Sequence, residues 1–90
     1  MTTAVQTPID NEVYVNNFMK LTVESFIKDK TDKTCNYAVV NRLQDNTFIV
    51  VRNLTVDNES KTCTWGYAIE YDIKDASYAT SLLIEKATSR

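Results

Sequence analysis

Two neighbouring stretches of the chain decide the fold that the sequence predicts: residues 34–43, TCNYAVVNRL, and residues 47–56, TFIVVRNLTV. Both are rich in the β-branched and aromatic side chains that are typical of strands. Asp45 and Asn46, which lie between them, tolerate positive φ and suit a tight two-residue hairpin turn. The sequence therefore predicts an antiparallel hairpin here.

A third stretch, residues 61–71 (KTCTWGYAIEY), extends this hairpin into a meander with the second strand at its centre. The turn chemistry predicts a register in which Tyr37 lies opposite Leu54, and Arg52 lies opposite Trp65. Large aromatic and aliphatic side chains then share one face of the sheet. They are Tyr37, Val39, Asn41, Phe48, Val50, Arg52, Leu54, Cys63, Trp65, Tyr67, Ile69 and Tyr71.

The residues before the meander favour a helix. Thr7-Pro8-Ile9-Asp10 combines a capping hydroxyl, a proline at the first helical position and an acid at the third. Apolar side chains then recur at helical spacing: Val15, Phe18, Met19, Thr22, Val23, Phe26 and Ile27. Met19, Leu21, Val23 and Ile27 also fit a strand, so residues 19–28 are open to either interpretation.

A second helix is expected at the C-terminal end, capped by Asp72 or Asp75 and running to about Ala87. The predicted fold class is α+β: a helix, a three-stranded antiparallel meander sheet and a helix. One compact domain covers residues 7–88, and residues 1–6 form a frayed N-terminal segment.

Composition excludes several classes of function. The formal charge is -2, with twelve acids interleaved with ten bases, so nonspecific nucleic-acid binding is not expected. The sequence has no apolar run of about 20 residues and no signal-peptide pattern at its start. We therefore expect a cytoplasmic protein that does not bind membranes, with Cys35 and Cys63 reduced.

The sequence also lacks most of the residues used in catalysis. It has no histidine, and two cysteines cannot make a zinc site. Gly66 is the only glycine, so no glycine-rich loop can hold a phosphate. We expect no enzyme activity, no catalytic residue, no cofactor and no metal.

Carboxylates are the one remaining catalytic option, and a carboxylate-based enzyme is the third hypothesis for function. The meander gathers Asp45, Glu70, Asp72 and Asp75 at one end of the sheet and places Asp57 and Glu59 at the other. Acid–base work would need one of them in an apolar pocket that raises its pKa. Roles in turns and helix caps explain all six without chemistry.

The middle strand, with Phe48-Ile49-Val50-Val51, is apolar on both sides, so both faces of the sheet need a cover. In one arrangement the helices pack on the aromatic face. In the other they pack on small residues of the opposite face, Ala38, Val40, Val51, Gly66 and Ala68, and the aromatic face turns outward. Both arrangements imply contact with a second copy or with a partner.

The leading hypothesis is a non-catalytic interaction domain, either a homodimer or an inhibitor of a protein partner, of the kind a phage or mobile element encodes. Trp, Tyr and Arg are enriched at the centres of protein interfaces. The candidate partner-binding residues are accordingly Tyr37, Arg52, Trp65, Tyr67 and Tyr71. The alternative is a protein that binds or sequesters a small ligand such as a nucleotide or metabolite.

Overall fold

A computed structural model describes residues 8–9, 11–28 and 35–88 and contains seven strands followed by one helix. The elements are β1 (Val13–Asn16), β2 (Met19–Lys28), β3 (Asn36–Arg42), β4 (Thr47–Arg52), β5 (Thr55–Asp57), β6 (Thr62–Thr64), β7 (Tyr67–Ile73) and α1 (Ala76–Thr88). The strands form one mixed sheet in the order β5-β6-β1-β2-β3-β4-β7. The predicted arrangement of a helix, a three-stranded meander and a helix is therefore wrong.

The predicted N-terminal helix is a β-hairpin, in which β1 and β2 pair through a two-residue turn at Asn17 and Phe18. Asn17 takes positive φ, which asparagine tolerates better than most residues. A register shift between Val23 and Ser25 in β2 lets Val23 and Phe26 both contact the same core. This irregularity gives a strand the three-residue spacing of a helix. Thr7 and Asp10 of the predicted cap, and the segment 1–6 predicted to fray, lie outside the described residues.

The hairpin of β3 and β4 is present, but its register differs from the prediction by two residues. Tyr37 pairs with Arg52 and Val39 with Val50, because residues 43–46 form a four-residue loop. The Asn41 side chain donates to the backbone carbonyl oxygen of Thr47 at 3.2 Å and so helps to fix this loop. A shift of two residues keeps each side chain on its predicted face.

Strands β4 to β7 form one long, bent hairpin. Its near half is the pair of β4 and β7, and its far half is the pair of β5 and β6. Arg52 pairs with Tyr67 in the near half and Thr55 pairs with Thr64 in the far half, so a single register continues through the bend. At the bend Asn53 takes positive φ. The far half leaves the plane of the near half, and β6 pairs in parallel with β1. The predicted pairing of Arg52 with Trp65 is therefore wrong.

The bend makes the sheet curl around an inner core to which six strands contribute. The buried members of this core are Tyr14, Leu21, Val23, Ala38, Val40, Ile49, Val51, Leu54, Val56 and Cys63. The small-residue face of the predicted meander is thus covered by the curled sheet rather than by a helix.

Helix α1 packs on the other face of the sheet. Its Ala79 and Leu83 join Val39, Val50 and Ile73 in a second core, against which the following side chains pack: Ile27, Tyr37, Phe48, Ile69 and Leu82. Asp75 caps α1 by accepting a hydrogen bond from the Ser77 N–H at 2.9 Å, as one of the two predicted caps. The helix thus lies on the face that carries Tyr37 and Phe48.

Candidate functional site

A row of three side chains crosses adjacent strands on the helix-bearing face of the sheet: Tyr37 on β3, Arg52 on β4 and Tyr67 on β7. Their Cα positions are directly paired, which places the side chains next to one another on one face. The guanidinium carbon of Arg52 lies 5.8 Å from the ring centroid of Tyr37 and 6.0 Å from that of Tyr67. Both distances fall within the range of a cation–π interaction. We call these three residues the Tyr–Arg–Tyr row.

Arg52 forms its described hydrogen bonds with side chains that are not carboxylates. Its Nη2 donates to the sulphur of Cys35 at 3.1 Å, and the side chains of Tyr67 and Cys35 together raise the pKa of Arg52 above its already high value. Its Nε is buried and meets no acceptor among the described residues. Arginine stays protonated at every physiological pH, so the row carries a permanent positive charge.

No described carboxylate forms an ion pair with Arg52. The contrast is Arg42, whose Nη2 lies 2.6 Å from a carboxylate oxygen of Asp45 and 2.6 Å from one of Asp72. The chain therefore contains one arginine held by two acids and a second arginine held by tyrosine rings.

The Tyr–Arg–Tyr row is open on one side. Tyr67 is 52% exposed, whereas Tyr37 is half-buried and packs against the helix-side core. Arg52 lies between them and is itself partly exposed. A ligand could reach the row from the side of Tyr67.

Trp65 and Tyr71, the other two predicted binding residues, are not part of this row. Trp65 follows the bend and packs against the inner core, on the opposite side of the sheet from Arg52. Tyr71 is 55% exposed and lies four residues along β7 from Tyr67. The structure thus brings together three of the five predicted residues.

The acids that could have formed a catalytic pair have other partners. Asp45 and Asp72 meet at one end of the sheet, as the sequence predicts, but they share Arg42. Hydrogen bonds from Arg42 and Thr47 lower the pKa of Asp45 to about 2, and the backbone N–H groups of the β5–β6 turn lower the pKa of Asp57. A general acid needs the opposite shift.

Glu70 and Asp75, two further acids of the predicted groups, also have hydrogen-bond partners. Glu70 accepts a hydrogen bond from the Tyr78 hydroxyl at 3.0 Å, and Asp75 caps α1. Within the described part of the chain, no three His, Cys, Asp or Glu side chains are grouped so that they could hold a metal ion. None of its helices has the length and apolar character needed to cross a membrane.

Sequence reasoning missed two features. Phe18 is 99% exposed at the tip of the β1–β2 hairpin, although the helical interpretation placed it on an apolar face. Cys35 is a buried residue that contacts Arg52. The correct register of the β3–β4 hairpin could have indicated the contact between Cys35 and Arg52. A pairing of Tyr37 with Arg52 places Cys35 at the end of the sheet where Arg52 lies.

The comparisons with known proteins add no function to this geometry. A scan against protein-family models, a search of curated proteins and a search of solved structures give no significant match.

Proposed function

We propose that this chain is a non-catalytic protein-interaction domain whose contact surface centres on the Tyr–Arg–Tyr row. The observation that carries the proposal is the placement of Arg52 between two tyrosine rings, with no described carboxylate paired to it. Tyrosine and arginine are the residue types that dominate interface centres, because they bury a large area and keep a polar group.

The edges of the sheet support contacts through side chains rather than through strand addition. β5 is an edge strand of only three residues. β7, at the other edge, contains Glu70 and Asp72, and Asp72 takes positive φ beside a register shift. Short edges, charges and irregular backbone are the features that protect sheets from pairing with another strand. A partner is therefore expected to contact the face of the sheet and not its edge.

A face-to-face homodimer centred on the row is the less favoured form of this function. Two copies related by a twofold axis would bring the two Arg52 side chains together, and like charges at an interface cost several kcal/mol. We therefore favour a partner different from the chain itself, acting in the cytoplasm.

The test is affinity purification of the tagged chain from cells of its source organism, followed by reconstitution of the identified binary complex. We expect one protein to co-purify in stoichiometric amount with the wild type and to be lost with Arg52→Gln. Lys74→Gln is the matched control, since it removes one exposed charge just after the end of β7 that is distant from Tyr67. Equal recovery with wild type and Arg52→Gln would contradict the proposal.

A further inference from the structure

We infer that the partner of the Tyr–Arg–Tyr row is an acidic polypeptide segment, whose glutamate or aspartate side chain pairs with Arg52. This inference rests on the proposed function and names the chemistry of its partner. It follows from charge complementarity at a place where the chain itself supplies no described counter-charge.

The guanidinium of Arg52 has the shape that binds a carboxylate. An arginine has five N–H donors in a planar fork, a shape that matches a carboxylate. Arg52 uses its Nη2 on the sulphur of Cys35, which is a weak acceptor, and neither of its described hydrogen-bond partners is a carboxylate. At Arg42, two aspartates supply the oxygens that such a fork prefers. Arg52 lacks that arrangement within the described residues.

The guanidinium of Arg52 is held in place before a ligand binds. The rings of Tyr37 and Tyr67 hold the guanidinium between them, so less side-chain freedom is lost when a ligand binds. Tyr67 is half-exposed and has a polar hydroxyl, which leaves an open approach beside Arg52. An incoming carboxylate would therefore meet a cation that is already oriented.

The net charge of the whole chain has little influence on this contact. The formal net charge of -2 weakly opposes an acidic ligand at long range. At 0.15 M salt the screening length is about 8 Å, so the local charge of Arg52 decides the contact. The measurement is best made at that ionic strength.

The experiment is a fluorescence-anisotropy titration of the full chain with fluorescein-labelled hexaglutamate, compared with labelled hexaglutamine and hexalysine. We expect hexaglutamate to bind about tenfold more tightly than hexaglutamine, the effect of one charge-assisted hydrogen bond. Arg52→Gln should reduce hexaglutamate binding to the level of hexaglutamine, and Lys74→Gln should leave it within about twofold. Hexaglutamate that binds no better than the other two peptides overturns the inference.

Two further measurements keep the outcomes distinct. If Arg52→Gln melts at a much lower temperature than the wild type, Tyr67→Leu replaces it, because that half-exposed side chain can be removed with little loss of core packing. Sedimentation that shows an Arg52-dependent dimer assigns the row to a second copy and overturns the acidic segment. If hexaglutamate does not bind but capture of the cellular partner still depends on Arg52, the proposed function stands and only the acidic nature of the partner is rejected. If neither hexaglutamate binding nor partner capture depends on Arg52, the proposed function is rejected as well.

Discussion

Gly66 donates its backbone N–H to the carbonyl oxygen of Arg52 at 2.9 Å, at the point where the long hairpin bends out of the plane of the sheet. A Cβ atom at Gly66 would lie 3.3 Å from that same carbonyl oxygen and 3.4 Å from the Cβ of Asn53. Gly66 does not have positive φ, so it is the close approach of the two chains that favours glycine here.

This relationship predicts the effect of filling the bend. Gly66→Ala should lower the free energy of unfolding by about 1 kcal/mol, because a hydrogen-bonded carbonyl cannot move away freely. Gly66→Val should cost more, since its branched side chain adds further contacts. Urea denaturation of both variants measures these changes. A Gly66→Val protein as stable as the wild type would show that a side chain fits at the bend without displacing the carbonyl oxygen of Arg52.

The bend also explains which parts of the fold the sequence could predict. The strand composition of residues 34–43 and 47–56 predicts a hairpin, and alternation keeps Tyr37, Arg52 and Tyr67 on one face because the observed register differs from the predicted one by an even number of residues. The shared face depends on local pattern, whereas the direct pairing within the Tyr–Arg–Tyr row depends on the register, which the prediction placed two residues away. Trp65 lies beyond Asn53 and Gly66, where the chain changes direction, so alternation counted through the bend places it on the wrong side.

The N-terminal strands could not be predicted for a different reason. The register shift in β2 puts Val23 and Phe26 on the same side, and a three-residue spacing of apolar side chains indicates a helix. The structure resolves the ambiguity through long-range contacts, because β2 pairs with both β1 and β3. Such pairing is a tertiary effect that no local window contains.

The packing of α1 on the sheet gives a second prediction, tested by two adjacent residues. Leu83 is 1% exposed and belongs to the helix-side core, whereas Ile84 is 50% exposed. Leu83→Ala should cost about 2–5 kcal/mol of stability, and Ile84→Ala should stay within about 0.5 kcal/mol of the wild type. Thermal and urea melts compare them directly. Similar losses in both variants would mean that the helix is packed differently.

The acid side of the pH range gives a third prediction. The pKa of Asp45 is lowered from 3.8 to about 2, first by its hydrogen bond with Arg42 and then by that with Thr47. A carboxyl with a lowered folded pKa stabilises the protein above its unfolded pKa, and this stabilisation is lost as pH falls through the folded value. The effect should be modest, because Asp45 is solvent-exposed.

Asp45→Asn isolates this contribution. The difference in urea midpoint between wild type and Asp45→Asn should be constant above about pH 5 and should shrink between about pH 4 and pH 2. Ser81→Ala, at an exposed position of α1, serves as the control that leaves the Arg42 cluster intact. A difference that does not change with pH would show that the Asp45 charge does not stabilise the fold.

The last prediction concerns Cys63, a residue of β6 that is 3% exposed and faces the inner core. Burial raises the pKa of its thiol from 9.0 to about 11. The thiolate is the reactive form, and a rise of two pKa units lowers its fraction about a hundredfold at pH 8. In a Cys35→Ser variant, where Cys63 is the sole thiol, iodoacetamide should therefore label the native protein at least about a hundred times more slowly than the protein in urea. Intact-mass spectrometry over a time course measures both rates. Equal rates would mean that the pair of strands β5 and β6 separates readily from β1. The curled sheet would then not exclude solvent from Cys63.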